Sequence, residues 1–143
     1  MRSTTAAPDV AWADTNLFVA LFAASSHPLH DDALQVFRRV AAGTLRLIVT
    51  PVIVAELVYV AESLFDWGRA ATSRQISELL GAEGLEVREQ RALVQALDLY
   101  RDHRRLDFAD AYLAACAVVS GPAAIASLDR DFDRLGGVRR IRS

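Results

Sequence analysis

The feature that most constrains this chain is an alternation kept up from end to end: short apolar runs are separated by longer stretches of helical period. "DVAWAD", "LRLIVT", "LEVRE", "AAIASLD" and "VRRIRS" read as strands, the third weak and the last a short edge strand. The stretches between them read as helices. In "HPLHDDALQVFRRVAAG", Leu29, Ala33, Leu34, Val36, Phe37 and Val40 fall near one stripe, and Gly43 lies just past the end. Thr50 stands where an N-cap belongs, with Pro51 at the first helical position. "ATSRQISELLGAEG", "EQRALVQALDLYRDH" and "FADAYLAACAVVS" are three more helices. Strands interleaved with helices predict an α/β fold: a three-layer α/β/α sandwich around a central, mostly parallel sheet of four to five strands, with right-handed crossovers and both faces covered.

With 143 residues the chain suits one core, and 52% hydrophobic against 24% charged residues is a composition that folds. The expected organisation is a loose tail over residues 1–8 and a single domain over 9–143. No run approaches the roughly 18 apolar residues of a membrane span, and the first residues lack the pattern of a signal peptide. A cytoplasmic protein is the expectation. Cys116, the sole cysteine, sits in "AYLAACAVV" and reads as a small core residue, which excludes cysteine-based metal clusters.

All sixteen basic residues are arginine. A Walker-type phosphate loop needs lysine and is therefore excluded, as are folds that clamp a phosphate with an invariant lysine. The net charge of −2 does not favour a polyanion overall, so one would have to be gripped locally by arginine forks.

The acids carry the chemistry. In open parallel sheets ligands bind at the carboxyl ends of the strands. Asp14 ends the first strand, Glu56 lies in the helix after the second, Asp110 opens the helix "FADAYLAACA", and Asp129 follows the fourth strand. Singly, most have plain explanations: Asp14 and Asp129 as helix caps, Asp110 as a first-turn charge. Glu56 does not, because Val52, Ile53, Tyr59 and Val60 one turn away are apolar and the helix looks fit for burial. A buried carboxylate protonates or finds a cation. Carboxylates about 4 Å apart repel by roughly 4 kcal/mol at an effective dielectric of 20, so several around one hollow call for an ion. Oxygen donors without a Cys or His cluster select Mg²⁺ or Mn²⁺.

Five segments, "ADTNLFVAL", "HPLHDDAL", "TPVIVAELVYVAE", "LDFADAYLAACA" and "IASLDRDFDRLGGV", make the chain resemble the PIN-domain family from about Val10 to Ile141, and within it the VapC-type toxin ribonucleases of bacterial toxin–antitoxin pairs. The resemblance implies a metal-dependent endoribonuclease leaving a 5′-phosphate and a 3′-hydroxyl. Its four catalytic acids fall on Asp14, Glu56, Asp110 and Asp129. Of these, Asp14, Asp110 and Asp129 are the expected ligands of Mg²⁺ (or Mn²⁺), and Glu56 the base or a ligand to water. Asn16, Ser127 and Asp107 are supporting polar residues, and Asp131 is the alternative to Asp129. Arg101, Arg104 and Arg105 in "RDHRR", and Arg139, Arg140 and Arg142 in "VRRIR", are candidate RNA-backbone contacts. The implied partners are an RNA substrate, a cognate antitoxin and a second copy of the chain. His27 and His30 read as loop and helix-start residues, and Trp12 and Trp67 as core or interface.

Two rivals remain. A catalytically silent relative would serve as a protein-binding module, against which the complete set of acids argues. A phosphatase with Asp14 as nucleophile lacks a second acid two residues on, where Asn16 stands, and lacks the lysine clamp.

Overall fold

The computed structural model describes residues 6–142. Of the expected tail, residues 1–5 lie outside the described residues, and Ala6–Pro8 have no regular structure. The elements follow the expected order: β1 (Asp9–Trp12), α1 (Thr15–Phe22), α2 (His30–Ala41), β2 (Leu45–Val49), α3 (Pro51–Ser63), α4 (Arg69–Leu80), β3 (Leu85–Val87), α5 (Gln90–Asp102), α6 (Phe108–Ser120), β4 (Ala124–Ala126) and β5 (Arg139–Ile141). Short 3-10 turns add Ala24–Ser26 and Arg130–Arg134.

All the strand pairs are parallel. Trp12 lies opposite Ile48, Val49 opposite Val87, and Ala124 opposite Arg139. The strands do not form one continuous sheet. They divide into a three-stranded sheet of order β1-β2-β3 and a separate β4-β5 pair. β1 is exposed along its length, Trp12 by 67%, where cover on both faces was expected. β4 is an Ala-Ile-Ala strand whose one large side chain, Ile125, packs with Phe132 and Leu135 in a core separate from that of β1–β3.

The helices explain the rest of the packing. In α5, Ala92, Leu93, Ala96, Leu97 and Tyr100 form one buried stripe. Complete burial of Leu93 and of Leu97 stabilises the fold by about 1.5–3 kcal/mol each. Helix α6 works as a wedge of alanines: Ala111 and Ala115 face the main core, while Ala114 and Ala117 face the smaller core beneath β4. Gly84 lets β3 approach α2. Its φ is +89°, and a Cβ there would meet Val40 Cγ1 at 2.6 Å. Among the described residues, no helix is long and apolar enough to cross a membrane.

Candidate active site

Four aspartates share one electrostatic neighbourhood, two at the start of α6 and two in the loop after β4. Asp107 is the N-cap of α6, and its Oδ1 accepts the Asp110 N–H at 2.8 Å. Asp129 caps the turn Arg130–Arg134, accepting the Asp131 N–H at 2.8 Å. Ser127 Oγ accepts the Asp129 N–H at 3.0 Å, so this supporting residue shapes the loop that carries the acid. Arg140 fixes the same loop from β5, donating to both oxygens of Asp133 at 2.8 and 2.9 Å and to the Ser127 carbonyl at 3.1 Å. Its side chain is only 8% exposed, so Arg140 is a strut of the loop rather than an open RNA contact.

Asp110 stands at the centre. Partial burial pushes its carboxyl above the usual carboxylate range, and the negative charges of Asp107, Asp129 and Asp131 push it further in the same direction. Among the described residues, the neighbouring charges that shift it are all carboxylates.

Asp14 and Glu56 come from the β1–α1 connection and from α3. Asp14 holds the N-cap position of α1, but its side chain makes no capping hydrogen bond and is exposed. Capping therefore does not account for it. The next side chain, Thr15, has a buried hydroxyl with no hydrogen-bond partner among the described residues. Asn16 is exposed in the first turn.

Glu56 is exposed, although its apolar neighbours in α3 suggested burial. Val54, Leu57, Val58 and Ala61 are the buried face of α3, and Glu56 lies on the opposite, exposed face between Val52 (65% exposed) and Tyr59 (71% exposed). Helical period separates the two faces, but α3 is apolar on both, so the sequence offered no contrast by which to tell them apart.

Several other candidates find local roles. Arg101 is held by Asp98 at 3.2 Å and Asp102 at 2.9 Å. His27 Nδ1 accepts the Leu29 N–H at 3.0 Å, and the His30 ring donates to the Ala20 carbonyl at 2.9 Å, so both shape the turn between α1 and α2. Trp67 packs edge-on against Phe22 at 5.4 Å. Trp12 instead stays open to solvent with the Arg88 guanidinium 5.6 Å from its ring centre.

Among the described residues, no group of three His, Cys, Asp or Glu side chains is drawn together tightly enough to hold an ion. The donor chemistry nevertheless suits one. The four aspartates at the start of α6 and after β4 offer only oxygen, the Asp110 carboxyl is raised by neighbouring negative charge, and Asp107 and Asp129 each use one oxygen on a backbone N–H, the other making no hydrogen bond among the described residues.

Parallel strands alternating with helices make this an α/β protein with carboxylates where strands give way to helical turns. The PIN domain family matches residues 12–138, and the chain belongs to that family, whose members are generally metal-dependent nucleases that bind RNA. No curated protein and no solved structure matches the chain.

Proposed function

We propose that the protein is a metal-dependent endoribonuclease and the toxin of a toxin–antitoxin pair. The observation that carries the catalytic part is Asp110, a carboxyl raised by partial burial and by three neighbouring aspartates. In this reading Asp14, Asp110 and Asp129 hold Mg²⁺ or Mn²⁺, and Asp107 and Asp131 add negative charge beside them. The cation, when bound, supplies positive charge to the reacting phosphodiester. Asp107 and Ser127 keep Asp110 and Asp129 in place through the α6 cap and the loop turn. Asn16, one residue beyond Thr15, completes the polar rim at Asp14. Glu56 enters the site as base on the family's pattern alone, since its exposed position gives no support of its own. Arg104 and Arg105 hold RNA backbone, while Arg101 is already engaged by two aspartates.

The partner assignments rest on exposed apolar surface. Val52 and Tyr59 flank Glu56 on α3, and Trp12 stands two residues before Asp14, so a partner covering these side chains would also cover the acids. A cognate antitoxin and a second copy of the chain are the proposed occupants, and the cytoplasm is the proposed location. Light scattering is expected to show a dimer of the isolated chain at about tens of micromolar, and a monomer would remove that assignment.

The catalytic reading is tested by RNA cleavage. Wild type with Mn²⁺ is expected to cut single-stranded RNA, and Asp14→Asn to lose about two to three orders of magnitude in rate, comparable to removing a charge-stabilising group from a transition state. EDTA should silence the wild type. Equal cleavage by both proteins would identify a contaminant and end the reading. Absence of cleavage in both would favour the silent protein-binding relative.

A further inference from the structure

Beside the four aspartates lies a cavity of ≈ 300 Å³ between the α5–α6 loop and the turn Arg130–Arg134. Arg104, Arg105 and Arg134 line it together with His103, Leu106 and two aspartates. Of those acids, Asp102 is engaged by Arg101, which reaches its two oxygens at 2.9 and 3.2 Å. Asp131 meets Arg105 at 3.9 Å, the limit of an ion pair. Arg104 and Arg134 have no ion-pair partner among the described residues, whose ion pairs elsewhere take up Arg39, Arg46, Arg88, Arg101 and Arg140. Two uncommitted guanidiniums and a third weakly held one thus face a single hollow in a chain of net charge −2.

We infer that this cavity is a phosphate subsite, which takes a phosphodiester of the RNA strand next to the one being cut. Planar guanidinium forks match tetrahedral oxyanions, and a cavity walled by three of them concentrates that match in one place. Its position fits the role. Asp131 lines the cavity and is also one of the charges acting on Asp110, so a phosphate held here lies alongside the acids. Arg134 joins Arg104 and Arg105 only through the fold, because the turn that carries it packs back through Phe132 and Leu135 onto Leu106. Asp131 competes with the incoming phosphate for Arg105, which makes it a brake on binding.

The inference deepens the nuclease reading and rests on it, but its test needs no cleavage. Binding of a fluorescein-labelled single-stranded RNA is measured by anisotropy in EDTA, across a series of salt concentrations. Arg104→Ala and Arg134→Ala are each expected to weaken binding roughly tenfold and to lower the slope of log affinity against log salt by about 0.7. Arg91→Ala removes a likewise exposed charge from the opposite end of α5, about 16 Å away along the helix, and should stay within about twofold. Asp131→Asn should tighten binding. Arg104 and Arg134 variants that behave like Arg91→Ala would overturn the subsite, as would wild type that fails to bind RNA at low salt. Cleavage that fails while the two arginine effects persist would overturn the nuclease reading and leave the subsite standing.

Discussion

Replacing Asp110 with asparagine is expected to raise the melting temperature of the metal-free protein while lowering RNA cleavage by about two to three orders of magnitude. The two effects share one cause. The Asp110 carboxyl is raised by partial burial and then by Asp107, Asp129 and Asp131, so the folded chain holds this proton more tightly than the unfolded chain does. The stability that this confers is complete below the ordinary carboxylate range and is lost as pH rises through the raised folded value. At neutral pH the group is an anion among anions, and asparagine keeps the shape while removing the charge. Thermal melts in EDTA should therefore show a larger gain for Asp110→Asn at pH 7 than at pH 4. Adding Mn²⁺ should raise the melting temperature of wild type and leave the variant nearly unmoved, because an ion that binds only the folded state stabilises it by mass action. A variant less stable than wild type at pH 7 in EDTA would mean that the carboxylate is held by the fold itself, and the metal assignment would lose its main support.

The order of elements was legible because each signal was local. Gly43 and Gly81 mark the ends of α2 and α4, Pro51 the start of α3, and the α5 stripe repeats at helical spacing through Tyr100. Strand pairing was not legible. β4 is three residues long, and nothing in Ala-Ile-Ala states which strand it will adjoin. That gap matters for the site, because the identity of the acids is local whereas their convergence depends on how β1 and β4 are placed. Asp129 is among the charges that raise Asp110, so those two acids share one electrostatic neighbourhood. Arg134 was missed altogether. In "DRDFDRL" it reads as one of several alternating charges, and only the hydrophobic contacts of Phe132 and Leu135 bring it to the α5–α6 loop. Arg140 was misread for the opposite reason. An arginine in an edge strand was a candidate RNA contact, but its bidentate partner Asp133 lies across a turn whose shape the sequence does not give.

Arg69 left no trace in the sequence, yet Arg69→Ala is expected to be among the most destabilising single changes outside the apolar core. It is the first residue of α4, and its Nη1 donates to the carbonyls of Tyr100 at 2.7 Å, His103 at 3.2 Å and Leu106 at 2.6 Å. The guanidinium also lies 4.2 Å from the centre of the Tyr100 ring. The Tyr100 carbonyl belongs to the last turn of α5, which helical bonding leaves without a donor, and the other two to the loop after it, where the His103 carbonyl also accepts the Leu106 N–H at 3.0 Å. One cation thus closes the end of α5, where the negative pole of the helix favours it, and sets the start of the loop that carries Arg104, Arg105 and Asp107. Hydrogen bonds to a charged group contribute about 1.5–3 kcal/mol, and three that share one nitrogen are not additive, so a loss of about 3–4 kcal/mol is expected. For a chain of this size that is a drop of roughly 6–16 °C in melting temperature. Arg69→Lys should recover only part of it, because a single ammonium on a different stem cannot stack on Tyr100 and reach all three oxygens. Arg69→Ala should also weaken RNA binding in EDTA although Arg69 itself touches no RNA, because the loop bearing Arg104 and Arg105 loses its anchor. A melting temperature within about 2 °C of wild type, measured at neutral pH, would show that the loop is held by the packing of Leu106 instead.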